Sequence, residues 1–292
     1  MERRPVRKAV IPAAGLGSRL LPCTKSQPKE MLAVGRLPTI QHVVEELVAA
    51  DVQNICIVTG WQKRAIEDHF DLSHGGLKLL KGEDGNLGVL ANGALNRKLF
   101  YIRQAEQKGL GDAVLHGEQF TNDEAFMVAL GDTILWSPDE PRLLDRLITA
   151  HQQSTCFATI VVEPVRPEDV VKYGIVAPAG EITPDAPAPI VDIVEKPSVA
   201  EAPSRYAVAS RYIFEPIIFE ALQRTPPGRG GEIQLTDAIR MLIHEGHACQ
   251  VVALRPGEQR YDIGNFGSYF RAFIDMALRD QTEGDSLRSY LR

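Results

Sequence analysis

Two stretches of this sequence combine glycines and cations in a pattern suited to phosphate chemistry. The first is Ala13-Ala14-Gly15-Leu16-Gly17-Ser18-Arg19, and the second is Pro28-Lys29-Glu30-Met31. Glycine lets a backbone turn tightly and approach a ligand with no Cβ in the way. Successive amides in such a turn receive phosphate or base oxygens. Two familiar phosphate loops do not fit. A dinucleotide fingerprint asks for a small residue where Leu20 stands. A P-loop asks for Gly-Lys-Ser/Thr, whereas here Thr24 precedes Lys25-Ser26. What remains is Gly-x-Gly-x-Arg, then Pro22, then the Pro-Lys pair. The prolines hold the intervening loop to a defined path, so Arg19 and Lys29 are expected to converge on a polyphosphate. Asp132 closes the apolar run at Leu130-Gly131, and the carboxyl ends of strands are where open α/β sheets place ligands.

These residues need a scaffold, and the hydrophobic pattern describes one. Ala9, Val10 and Ile11 predict a buried strand over 6–14 that stops at the glycine turn. Ile40, Val43, Val44, Leu47 and Val48 recur at helical spacing after Pro38. A second buried strand is expected over 54–59 (NICIVT) and a helix over 62–70, with Ala65, Ile66 and His69 on one side. This strand–helix rhythm predicts a parallel sheet covered by helices. Residues 72–97, rich in glycine and asparagine, read as a surface excursion. A strand over 99–103, a helix over 110–120, a strand over 125–130, a helix over 141–153 and a strand over 157–162 follow.

Beyond about residue 163 prolines 164, 167, 178, 184, 187, 189 and 197 punctuate short extended pieces at 173–177, 190–194 and 207–213. Proline cannot donate to a ladder, so these pieces belong to edges or excursions. A helix over 236–245 has Thr236 as expected N-cap and Gly246 just past its end. A strand over 249–254 comes next. Phe266, Phe270, Phe273, Ile274 and Ala277 then mark a C-terminal helix, packed on its own domain or used as a subunit contact.

The chain has 292 residues, and surface scaling gives roughly three quarters of the unfolded surface buried on folding. That is ample for one α/β domain. Hydrophobic residues make up 44% and charged residues 24%, which excludes wholesale disorder. A net charge of −6 disfavours nucleic acid as a partner without excluding a local cationic pocket. Cys23, Cys56, Cys156 and Cys249 are far apart and form no zinc or redox motif, so reduced thiols and a cytoplasmic location are expected. The apolar stretch near the N-terminus is short and broken by Pro12 and glycines, unlike a secretory signal or a membrane span. The histidines, among them His69, His116, His151 and His244, show no metal-ligand spacing.

The segment VIPAAGLGSRLLPCTKSQPKEML resembles the start of the bacterial UTP–glucose-1-phosphate uridylyltransferase family. The resemblance continues in order through GLGDAV, LGD, YGIV, VEKP, TPPGRGGEIQLTDAI and YDIGN. It spans almost the whole chain except residues 72–97. It implies a three-layer α/β/α nucleotide-sugar pyrophosphorylase fold with a mixed, mostly parallel sheet. It also implies a single domain over 1–292, with a nucleotide-binding part to about 132 and a sugar-binding part with C-terminal helices from about 133.

The reaction implied is UTP + glucose 1-phosphate ⇌ UDP-glucose + pyrophosphate. The nucleophile is an anionic sugar-phosphate oxygen, so no strong base or nucleophilic triad is needed. Catalysis rests on bringing two polyanions in line and neutralising their charge. By the same resemblance Arg19 and Lys29 face the triphosphate and act catalytically together with Lys196. Ala13, Ala14, Gly15, Gly17, Glu30, Gln104 and Gly109 contact the nucleotide, with Gln104 and Gly109 near the uracil. Gly174, Glu195 and Lys196 hold the sugar phosphate: a carboxylate accepts from sugar hydroxyls and an ammonium pairs with phosphate. Asp132 and Asp262 are the implied Mg²⁺ ligands, a hard oxygen pair completed by phosphate and water. No nucleic-acid or membrane partner is implied, and a homo-oligomer is expected.

Rival readings keep the chemistry with another nucleotide, such as dTTP, or another hexose 1-phosphate, or make the chain a non-catalytic regulatory paralogue. Gly131 stands where many uridylyl members carry proline. A dinucleotide-dependent oxidoreductase lacks its glycine fingerprint. Pyrophosphate release and nicotinamide absorbance separate these classes.

Overall fold

The computed structural model describes residues 4–71 and 98–292. The excursion expected over 72–97 lies outside the described residues. In chain order the elements are β1 (Lys8–Pro12), β2 (Ala33–Val34), β3 (Leu37–Pro38), α1 (Thr39–Ala49), β4 (Asn54–Thr59), α2 (Arg64–Phe70), β5 (Lys98–Arg103), α3 (Leu110–Leu115), α4 (Glu118–Thr121), β6 (Phe126–Ala129), β7 (Thr133–Trp136) and α5 (Leu143–Gln152). They continue with β8 (Ala158–Pro164), β9 (Gly174–Pro178), β10 (Ala188–Glu195), β11 (Tyr206–Phe214), α6 (Ile217–Arg224), α7 (Leu235–His244), β12 (Cys249–Ala253), β13 (Gln259–Asp262), α8 (Phe266–Leu278) and α9 (Gly284–Tyr290).

Among the described residues nine strands form one sheet in the order β5-β4-β1-β6-β11-β8-β12-β10-β9. The pairings β5–β4, β4–β1, β1–β6 and β8–β12 are parallel; those made by β10 and β11 are antiparallel. Only β10 and β11 therefore run against the common direction, which is the mixed, mostly parallel sheet expected. Of the three pieces expected at edges or in excursions, only β9 sits at the sheet edge; β10 lies between β12 and β9 and β11 between β6 and β8, because β11 carries no proline and Pro189 stands near the start of β10.

The layers follow from strand alternation. Val10, Cys56, Val58, Phe126 and Val128 face one side and pack with Val114, Ile218, Leu222, Leu235 and Ile239 of the covering helices. Ala9, Ile11, Ile55, Ile57, Met127 and Ala129 face the other, against Val43, Leu47, Ile66, Leu143 and Leu147. Both faces of the central strands are apolar because both are covered. A smaller core of Leu20, Leu32, Val34, Ile134, Tyr261, Ile263 and Ala272 anchors the glycine loop to the β7–β13 ribbon and α8.

Three further expectations need correction. The single helix expected over 110–120 is two, α3 and α4, parted at Gly117. Gly117 lies against β1 so closely that a Cβ there would sit 2.7 Å from Val10 Cγ2. Thr236 is not the N-cap of its helix: α7 begins at Leu235 after Gln234, and the Thr236 hydroxyl serves Glu195 instead. Gly246 does follow the helix, in the left-handed conformation (φ 93°) that suits a C′ glycine. The third correction concerns α8, which packs on its own domain through Ala272, Tyr269 and Met276. Of the predicted stripe, Phe266 packs there too, Ala277 is half-buried, and Phe270, Phe273 and Ile274 lie 39–55% exposed instead.

Candidate active site

The loop after β1 is built around its glycines. Ala13 extends the strand, its amide donating to Val58 O at 2.9 Å. At Gly17 the chain turns through φ 68°, and Thr24 Oγ1 ties back to the Gly17 carbonyl at 2.7 Å. Gly15 and Gly17 lie against Lys29: a Cβ on Gly15 would come 3.6 Å from its Nζ, and one on Gly17 3.2 Å from its Cβ. The two cation-bearing stretches are thus one folded unit, as their prolines predict.

This unit walls a cleft of about 430 Å³, which also takes in Gln104 and Gly109, Asp132, and Gly174, Glu195 and Lys196. The cleft opens beyond the ends of β1, β5 and β6. A second lobe of about 510 Å³ shares Arg19, Asp132, Lys172 and Lys196 with the first and reaches Arg260 and Asp262. Ala14 and Glu30 also line the first lobe, whereas Ala13 and Gly17 stand behind its wall and shape it.

Sheet register brings the two aspartates together. Asp262 of β13 pairs with Thr133 of β7, and the Ile263 amide donates to the Asp132 carbonyl at 2.9 Å. Lys29 Nζ lies 2.5 Å from Asp132 Oδ2. Burial opposes the Lys29 ammonium, but Asp132, with Glu30 and Asp262, holds its pKa above the ordinary lysine value. Asp132 is also buried, yet Lys29 keeps it ionised, below the usual carboxylate range. Burial and then the Asp132 charge push Asp262 up, and Arg260, Lys29 and Arg19 partly offset this. A second cation between these carboxylates would relieve the repulsion. The donor set fits a hard divalent ion, since two carboxylates leave room for the phosphate and water oxygens such an ion keeps. Among the described residues no group of three His, Cys, Asp or Glu side chains gathers as a self-sufficient metal cage.

On the opposite wall, register also brings Gly174 opposite Glu195. Glu195 Oε1 pairs with Lys196 Nζ at 2.8 Å, and its Oε2 accepts from Thr236 Oγ1 at 2.8 Å. Lys196 adopts φ 44°, and its amide donates to Tyr173 O at 2.9 Å. The Gly174 position has no room to spare, because a Cβ would come 3.1 Å from Thr236 Oγ1. The first turn of α7 lines the cleft, presenting Leu235 and Thr236 after Gln234. A helix N-terminus favours anions.

At the far end Gln104 is buried and donates to Asp112 Oδ2 at 2.6 Å. Gly109 has φ 108°, and a Cβ there would lie 2.7 Å from the Ile233 carbonyl, so only glycine fits. Glu30 is met by Lys63, with Nζ–Oε2 2.7 Å and both side chains buried. Burial raises the Glu30 pKa and lowers that of Lys63; each opposes the other's shift.

Sequence reasoning missed Lys63, Lys172, Ser210 and Arg260. Arg260 had a signal: it stands two residues before Asp262 on a strand, and period-two alternation puts both on one face. Its guanidinium lies 4.4 Å from the Tyr173 ring centroid and bonds Glu163 at 2.5 Å. Lys63 and Ser210 had none.

Comparison with known proteins agrees with this architecture. The model of the nucleotidyl transferase family matches residues 8–278, which defines the class. A UTP–glucose-1-phosphate uridylyltransferase of Streptococcus pneumoniae is 42% identical over 98% of this chain and 95% of its own. The structure of a UDP-glucose pyrophosphorylase complexed with UDP-glucose superposes with a TM-score of 0.84 at 37% identity, covering 94% of this chain and 100% of that one. A UTP-bound UDP-glucose pyrophosphorylase from Acinetobacter baumannii does so at 0.88 and 32% identity, covering 98% of each. The chain belongs to the UTP–glucose-1-phosphate uridylyltransferase family of nucleotidyl transferases. Nucleotidyltransferases of this family typically use a divalent metal.

Proposed function

We propose that this protein transfers the uridylyl group of UTP to glucose 1-phosphate, giving UDP-glucose and pyrophosphate. The observation that carries the reading is the meeting, in one cleft, of the Gly15–Lys29 phosphate loop, the Asp132–Asp262 pair and the Glu195–Lys196 wall. Arg19 and Lys29 neutralise the triphosphate and favour the departing pyrophosphate, and the amides around Ala14 and Gly15 receive its oxygens. The loop residues Ala13 and Gly17 hold that backbone in place. Gln104 and Gly109 bound the uracil, and Glu30, fixed by Lys63, stands beside Lys29 and Asp132. Gly174 gives the sugar its close approach, Glu195 accepts from its hydroxyls, and Lys196 pairs with its phosphate.

The step is a displacement at the α-phosphorus. A sugar-phosphate oxygen forms the new P–O bond, the bond to the β-phosphate oxygen breaks, and pyrophosphate leaves with that electron pair. No proton transfer is required. Mg²⁺ held by Asp132 and Asp262 would lower the repulsion between the reacting phosphates. The chain's own part is to orient the two anions and shield their charge. In this reading the part through Asp132 serves the nucleotide and the rest the sugar, within a cytoplasmic enzyme. The exposed Phe270–Ile274 stripe supports self-association.

The test is pyrophosphate release across five nucleoside triphosphates and several sugar 1-phosphates, with and without Mg²⁺. UTP with glucose 1-phosphate is expected to be preferred, and EDTA to abolish turnover. A preference for dTTP would overturn the uridine assignment and leave the fold intact. Light scattering reads the oligomeric state.

A further inference from the structure

Arg211 is the largest fully buried side chain among the described residues, with 0% exposure, and it lies directly behind the cleft. It sits at an irregularity of β11. The register with β8 shifts between Val208 and Tyr212, and the preceding residue, Ser210, takes φ 63°. From there the guanidinium reaches three oxygens. Nη1 donates to Ser210 O at 3.0 Å, and Nη2 donates to Thr133 O at 2.9 Å and to Glu46 Oε2 of α1 at 2.5 Å.

Two of these oxygens frame the turn that carries Asp132. The Leu130 amide also donates to Ser210 O, at 3.2 Å, and the Thr133 amide closes the turn on Leu130 O at 3.3 Å. Arg211 therefore bonds one flank of the segment 130–133 directly, at Thr133, and reaches the other through the Ser210 carbonyl it shares with the Leu130 amide, without lining the cleft itself. Burial is expensive for its partner: Glu46 is pushed up by desolvation, and Arg211 pulls it back. Arg211 Nε has no hydrogen-bond partner. Apolar residues of similar volume often match or exceed the stability of such a buried pair. Packing alone gives no reason for a charged pair here, whereas a fork that spans two carbonyls and a carboxylate does.

We propose that Arg211 is a positioning residue: held by Glu46, it sets the Leu130–Thr133 turn and so aims the Asp132 carboxylate at the reacting phosphates. The proposal rests on the uridylyl-transfer reading of the cleft. Glu46 lies on α1 and Ser210 on β11, so the grip joins elements on two sides of the turn.

The test compares wild type with E46L/R211M, which removes both charges, and with R211K, which keeps a cation for Glu46 but loses the fork. E46L/R211M is expected to melt close to wild type while kcat falls about tenfold to hundredfold. The KM for glucose 1-phosphate should change little, the Mg²⁺ concentration for half-maximal rate should rise, and amide exchange over 130–136 should quicken. R211K should show the same pattern. Wild-type kcat, metal dependence and exchange in either folded variant would overturn the proposal. Failure of both variants to fold would assign the pair to stability alone and also overturn it. A wild-type protein without uridylyl transfer would instead sink the underlying reading, and it is measured first.

Discussion

Lys29 Nζ lies 2.5 Å from Asp132 Oδ2, so a cation of the glycine-loop unit and a carboxylate carried just after β6 neutralise each other on the cleft lining. The pair is only 17–18% exposed, which makes each partner a sensitive handle on the other.

Replacing Lys29 or Arg19 by alanine removes charge that the proposed mechanism directs at the triphosphate. Each variant should lose about 10²–10³ in kcat in a pyrophosphate-release assay. Arg19→Ala should melt within about 4 °C of wild type, whereas Lys29→Ala, which strands the buried Asp132 carboxylate, should melt lower. Near-normal kinetics in both would remove these residues from the mechanism.

Asp132→Asn keeps shape and loses charge. The Mg²⁺ requirement for half-maximal rate should rise at least about tenfold, as it should for Asp262→Asn. An unchanged metal titration in both variants would separate the aspartates from the ion.

Gly174→Ala would place a Cβ 3.1 Å from Thr236 Oγ1 and 3.4 Å from Glu195 Oε2. Overpacking of this kind costs about 1–3 kcal/mol, and it falls on the sugar wall. The KM for glucose 1-phosphate should rise roughly fivefold or more while that for UTP holds. Equal rises for both substrates would contradict the division of the cleft.

Stability should fall as the solution is acidified from neutral. Burial lowers the pKa of His42 and of His69 below the ordinary 6.5. The unfolded chain then binds more protons than the folded one below about that pH, so unfolding is favoured as pH drops through 6.5 toward the folded values. Thermal melts from pH 8 to pH 5 should show the decline, and a His42→Asn/His69→Gln variant should flatten it. A pH-independent melting temperature in wild type would refute the assignment.

Gly117→Ala tests the scaffold apart from the site. Its Cβ would lie 2.7 Å from Val10 Cγ2, which should destabilise the fold by about 1–3 kcal/mol in urea with KM values unchanged. Wild-type stability would mean that β1 yields more readily than the packing implies.

The strand over 54–59 is legible to the residue because a four-residue apolar run, Ile55 to Val58, set between Asn54 and Thr59 has little else to become. The α1 stripe is equally plain, since Ile40, Val43, Val44 and Leu47 are all fully buried. What the sequence hides is tertiary. Nothing near Gly117 announces that Val10, more than a hundred positions earlier, crowds it and splits a helix. Phe270, Phe273 and Ile274 have helical spacing, but spacing cannot say which face of a helix meets the protein, and small Ala272 makes the contact. At the site, residue types suggest cations around a phosphate, and resemblance adds the carboxylates. The pairings Lys29–Asp132, Lys63–Glu30 and Thr236–Glu195 exist only once distant segments meet.

The antiparallel ribbon that sets Asp262 opposite Thr133 has a consequence for biosynthesis. One carboxylate emerges from the ribosome 130 residues after the other (262 − 132). A partly synthesised chain lacks half of its anionic clasp, and also the core that anchors its glycine loop, until β13 and α8 dock. Assembly of the complete site thus waits on the closing of the ribbon, late in synthesis.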